Sequence, residues 1–131
     1  MVAAILFPDP IPTVRAWLAV KMPAVQVVQR RPASAPVELV QVVRTGGQRA
    51  HLVADDAQLT VTCWAATDPA SAALAARVRA WLLAMAGEKV GTVAVYRVAE
   101  VGGLYANPDP DSGSPRHTFT VAVQVRGAAL P

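Results

Sequence analysis

Apolar side chains recur along this chain in two periods, and the switches between them mark out its elements. Over residues 13–22, Val14, Trp17, Leu18 and Met22 fall at helical spacing while Arg15 and Lys21 leave that face, which predicts a short amphipathic helix. Asp9 or Thr13 can cap it, Pro10 or Pro12 fits only its first turn, and Pro23 stops it. Trp17 is expected to pack in the core. Residues 25–29 predict a short strand, and the proline-punctuated stretch 30–36 a connector. Residues 37–45 and 49–53 are β-rich, and Gly46-Gly47 between them predicts a tight hairpin turn.

Residues 58–66 alternate strictly, with Leu59, Val61, Cys63 and Ala65 against Thr60, Thr62 and Trp64, as a strand with one buried face requires. Thr67-Asp68-Pro69 then supplies a cap and a proline for a first helical turn. The alanine-rich segment to Ala86 carries Leu74, Val78, Trp81, Leu82 and Met85 on one stripe, and Gly87 ends it. Two more strands follow at 92–101 and 117–126, expected to pair antiparallel. The second alternates Phe119, Val121, Val123 and Val125 against Thr118, Thr120, Gln124 and Arg126. Between them residues 102–115 read as one long polar loop containing Leu104, Tyr105, Asp109 and Asp111.

This order predicts a single α+β domain over 1–131, a mixed and mainly antiparallel sheet with two helices packed on one face. Two helices cover one side only. The other side is expected to present Thr60, Thr62, Trp64, Tyr96, Thr118, Thr120 and Arg126, a mixed, partly aromatic surface suited to a partner.

Composition sharpens this picture. The chain is 53% apolar and 16% charged, an excess of apolar surface that favours an oligomer. No apolar run approaches the roughly 20 residues of a membrane-spanning helix, so no membrane partner is expected. Residues 1–7 lack a basic start and break at Pro8-Asp9-Pro10, which does not read as a secretory signal and points to the cytoplasm. The single cysteine, Cys63, excludes an internal disulfide and is expected in the core. The net charge of +3 is spread singly apart from Arg30-Arg31, without the stripe of a nucleic-acid footprint.

No reactive constellation stands out. His51 and His117 lie in strands with no second ligand at metal-site spacing. Asp55-Asp56 reads as a solvated turn before a strand. Ser71, Ser112, Ser114 and Cys63 lack the context of an activated nucleophile. The glycine pairs have neither the Lys-Ser/Thr of a phosphate loop nor a dinucleotide fingerprint. The acidic loop around Asp109 and Asp111 lacks calcium-loop spacing and its terminal glutamate. The expectation is no catalytic residue, cofactor or metal, and a protein that is not an enzyme.

Across nearly its whole length the chain resembles the tail terminator proteins of long-tailed bacteriophages, those of actinobacterial hosts in particular. The resemblance rests on Phe7-Pro-Asp-Pro-Ile-Pro-Thr-Val-Arg15, on Val43-Arg-Thr-Gly-Gly47, and on Asp55-Asp-Ala-Gln-Leu-Thr-Val-Thr-Cys-Trp-Ala65 before the alanine-rich helix. Its strongest part is Tyr96-Arg-Val-Ala-Glu-Val-Gly-Gly103, then Pro108-Asp-Pro-Asp-Ser-Gly-Ser-Pro-Arg-His-Thr-Phe-Thr-Val121 and Val125-Arg-Gly127. It implies a ring, a hexamer, in the virion neck, assembled in the host cytoplasm. That ring would cap the tail tube protein, end tail polymerisation and join the head's connector or stopper protein, while genome DNA passes through its lumen without sequence-specific binding. No active site comes with it. Trp64, Tyr96 and Arg126 are expected at subunit or tube contacts, and Leu104, Tyr105, Asp109 and Asp111 in a loop reaching a neighbouring ring; Arg44 and Arg97 are candidates to face DNA. A head-completion or stopper protein of the neck is the neighbouring alternative. A small ligand-binding or enzymatic α+β domain is a further one, against which stand the apolar Leu59, Val61, Phe119, Val121 and Val123 on the helix-covered face.

Overall fold

The computed structural model describes residues 3–131. Met1 and Val2, which open the segment read above for a signal, lie outside the described residues. Helix α1 (Pro10–Lys21) starts earlier than its periodicity predicts, because Asp9 caps it: its side chain accepts a hydrogen bond from the Ile11 N–H at 3.0 Å. Pro10 and Pro12 occupy the first turn, where no intrahelical N–H bond is lost. Helix α2 (Asp68–Leu83) is capped by Thr67, whose hydroxyl accepts from the Ala70 N–H at 3.2 Å, and Gly87 turns the chain away at φ +82°.

Eight strands complete the fold among the described residues: β1 (Ile5–Leu6), β2 (Gln26–Val28), β3 (Leu39–His51), β4 (Ala54–Trp64), β5 (Lys89–Val90), β6 (Val93–Ala106), β7 (Arg116–Arg126) and β8 (Ala128–Ala129). Six of them form one strongly curled sheet in the order β2-β3-β4-β7-β6-β5, and β1 and β8 pair separately. Only β2 and β3 run parallel. The fold is therefore α+β with a mainly antiparallel sheet, as the pattern of the sequence predicts.

The core fills the space between the helices and one sheet face. Ile11, Val14 and Leu18 of α1 and Leu74, Val78 and Leu82 of α2 join Val40, Val42, Leu59, Val61, Phe119, Val121 and Val123 in a single cluster. Each buried aliphatic or aromatic side chain contributes on the order of 1.5–3 kcal/mol against exposure. The ladder sets Leu59 opposite Val121 and Val61 opposite Phe119, so the alternation in β4 and β7 delivers these side chains and Val123 to the same face.

Three local expectations are overturned. Gly46-Gly47 is not a turn: β3 runs through it, the register shifts between Arg44 and Gly46, and the chain reverses at Leu52-Val53 instead. A Cβ on Gly47 would collide with the Asp56 carbonyl and lie 2.7 Å from the Gln58 nitrogen, so the glycine serves close strand approach beside a bulge. Asp55-Asp56 is likewise not a solvated turn but part of β4, where Asp55 is buried and paired with Arg44 at 3.1 Å, and Asp56 accepts from the Gln124 amide at 3.0 Å. Finally, β6 continues to Ala106, with register shifts around Gly102 that absorb the glycines as bulges. The true loop is 107–115, and Leu104 belongs to a strand, half-buried against the core.

Candidate functional site

The candidate residues divide between the end of the sheet where β4 finishes and β7 begins, and the outer strand β6. At the sheet end, Trp64 and Arg116 are ladder partners, and the 107–115 loop joins β6 to β7 beside them. Trp64 was expected on an open surface, yet it is only 3% exposed. Its indole N–H donates to Asp109 Oδ2 at 3.1 Å, and the guanidinium groups of Arg31 and Arg116 stack on its ring at 5.2 and 5.6 Å from the centroid. Burial of an indole calls for a partner for its N–H, and the loop supplies one.

Asp109 is buried too, and organises the loop. Its Oδ1 accepts the backbone N–H groups of Asp111 at 2.9 Å and Ser112 at 3.3 Å, closing an Asx turn. Those donors hold the carboxyl below its ordinary range: the Asp111 N–H contributes most, then the Trp64 indole, with the Ser112 N–H and the Arg116 charge adding to them. Arg116 in turn donates through Nε to the Asn107 carbonyl at 2.6 Å. Trp64 and Asp109 are thus internal anchors, whereas Asp111 is exposed. An open depression of about 410 Å³ lies alongside, lined by Arg31, Pro36, Val37, Ser114 and Pro115 among others.

On β6, Tyr96 is 40% exposed, Val101 54% and Tyr105 54%. Arg126, at the far end of β7, is exposed and lines a shallow depression with Leu6, Pro8 and Ala128. Arg97 is exposed on β6, whereas Arg44 is neutralised by Asp55, which weakens its candidacy as a DNA-facing charge. The uncovered sheet face between these regions is polar. Thr45, Thr60 and Thr120 touch in series across three strands, Oγ1 to Oγ1 at 2.9 and 3.5 Å.

Two arrangements escaped the sequence. Ser71 Oγ and His117 Nδ1 lie 2.7 Å apart, and Cys63 is the ladder partner of His117. The Ser71 hydroxyl donates to the Asp68 carbonyl at 3.0 Å, so its proton is already committed and it accepts from the imidazole N–H. A serine in that state, fully buried, ties α2 to β7 and is not primed for attack. Burial also pushes the Cys63 thiol up to about 12, far from the thiolate a nucleophile needs. Secondly, Lys21 Nζ sits over the rings of both Trp17 and Trp81, at 4.7 and 5.2 Å, while Trp17 Nε1 donates to the Trp81 carbonyl at 2.8 Å. Trp17 is half-buried there, and Trp81 leaves the core stripe for the surface.

Among the described residues no group of three His, Cys, Asp or Glu side chains could hold a metal ion, and no helix is long and apolar enough to cross a membrane. No family model matches the chain, and no curated protein matches it.

Proposed function

We propose that the protein is a structural subunit of a bacteriophage neck. Copies of it form a ring, hexameric by the resemblance set out above, that caps the tail tube, ends tail polymerisation and meets the head connector. It performs no chemistry and holds no cofactor; genome DNA crosses its lumen without sequence readout. The observation that carries this reading is the set of exposed apolar side chains on β6, Tyr96, Val101 and Tyr105, on a strand that β5 flanks only as far as Val95. A small polar-faced domain leaves such side chains bare only at a cost in solubility, and a neighbouring subunit or the tube would cover them. The helix-covered face supports the same reading, since its core cluster is apolar and the Ser71–His117 pair beside it serves to tie α2 to β7.

Electron microscopy of particles made by a phage lacking this gene tests the proposal. Overlong, headless tails are expected. Tails of normal length that fail to join heads would move the protein to the stopper position in the neck, and unchanged infectious particles would remove it from the virion.

A further inference from the structure

The sheet ends in two long strand edges that pair with no further strand among the described residues. On one side β2 pairs only with Leu39, Val40 and Gln41, so residues 42–51 of β3 have β4 on their inner side and no outer partner among the described residues. On the other, β5 and the Gly87–Glu88 backbone engage β6 only as far as Val95, leaving residues 96–106 open. Each open stretch is roughly ten residues, about 33 Å of strand. Rows of unpaired N–H and C=O groups of this length are templates for pairing with another chain.

We infer that these two edges pair with each other between copies, β6 of one subunit against β3 of the next. This rests on the ring reading above and supplies its subunit contact. Strand direction permits it: β3, β4, β7 and β6 alternate in sense, so a copy placed beside β6 in the same orientation presents β3 antiparallel to it and continues the sheet. The open lengths match. A twofold dimer could satisfy only one kind of edge and would leave the other bare, whereas head-to-tail pairing satisfies both in every subunit once the rotation between copies closes a ring. Pairing β3 with itself also brings Arg49 near its own copy on a segment that carries no carboxylate. The bulges in β6 bend the strand, as closure of a sheet around an axis demands. The exposed Val101 and Tyr105 then lie along the contact.

The register shifts provide clean probes. Ala50 and Val101 fall at shifts, between Arg49 and His51 and between Glu100 and Gly102, and have no ladder partner on the inner strand. Proline is tolerated at bulges, so Ala50→Pro and Val101→Pro block outer pairing while sparing the fold, with circular dichroism to check that they do. Val101→Lys is a milder variant of the same edge. Wild-type protein is expected to associate in native mass spectrometry, with amides 42–51 and 96–106 slowed in hydrogen exchange. Each variant alone should associate about tenfold more weakly or worse. Mixed one to one, A50P and V101P should form dimers and nothing larger, because one intact edge remains on each. Rings unaffected by either substitution would overturn the edge contact and leave the ring standing. Variants that fail to complement, or wild-type protein whose edge amides exchange freely, would overturn it as well; normal tail lengths in gene-deleted phage would remove the tail reading and leave this result in place.

Discussion

Trp64 and Asp109, 45 positions apart in the chain, are joined by an indole-to-carboxylate hydrogen bond of 3.1 Å that pins the 107–115 loop onto the end of the sheet. Because donors surround the carboxylate, its affinity for protons is lower in the folded protein than in the unfolded chain. A carboxyl with a depressed folded value stabilises the fold above its unfolded value, about 3.9 for aspartate, and that stability is lost as pH falls through the folded value. Acid unfolding of wild type should therefore steepen below the usual carboxylate range. Asp109→Ala should unfold at lower temperature near neutrality and show a shallower acid limb in a pH series of thermal melts; parallel curves for the two proteins would mean that the loop is held by other contacts.

Ser71→Ala removes the acceptor of the half-buried His117 N–H between α2 and β7. An orphaned buried donor costs about 1–3 kcal/mol, and partial exposure puts this one at the low end of that range. The urea midpoint should fall accordingly with the slope unchanged. A midpoint equal to that of wild type would show that water or another group replaces the hydroxyl.

Gly47 and Gly87 separate two reasons for glycine. Both have positive φ, but only at Gly47 would a Cβ meet backbone, while the space at Gly87 is open. Gly87→Ala should cost about 1–2 kcal/mol, the strain of a left-handed residue alone. Gly47→Ala should cost clearly more, since β3 and β4 must also part at the bulge. Equal losses in denaturant titration would contradict the close approach at Gly47.

Cys63 should resist a thiol reagent such as iodoacetamide in the folded state and react fully in denaturant, its thiol being buried and pushed up to about 12. Labelling followed by mass spectrometry reads this directly. Modification under native conditions would mean that β4 opens locally.

The strongly periodic elements were legible because periodicity and caps are local properties: the alternation of β7, the stripe of α2 and the Thr67 cap all appear where residues 58–126 place them, Trp81 of that stripe excepted. What the sequence concealed depends on the partner strand. Gly46-Gly47 resembles a turn until Asp56 and Gln58 are seen crossing it, and Asp55-Asp56 looks solvated until Arg44 and Gln124 are seen beside it. Of the candidate surface, Tyr96, Tyr105, Asp111 and Arg126 are exposed. Trp64 and Asp109 were misplaced because no periodicity reveals that a loop folds back over the end of its own sheet.

The position of β7 bears on how the chain comes off the ribosome. It lies between β4 and β6 in the sheet but is made after both, so the nascent chain can form α1, the β3–β4 hairpin and α2 while the slot that joins β4 to β6 stays empty. Until Phe119, Val121 and Val123 emerge, the inner side of α2 and the apolar face of β4 have only part of their packing. Folding of this domain is thereby deferred until β7 has been made, and the chain lacking it exposes apolar surface of the kind that chaperones hold.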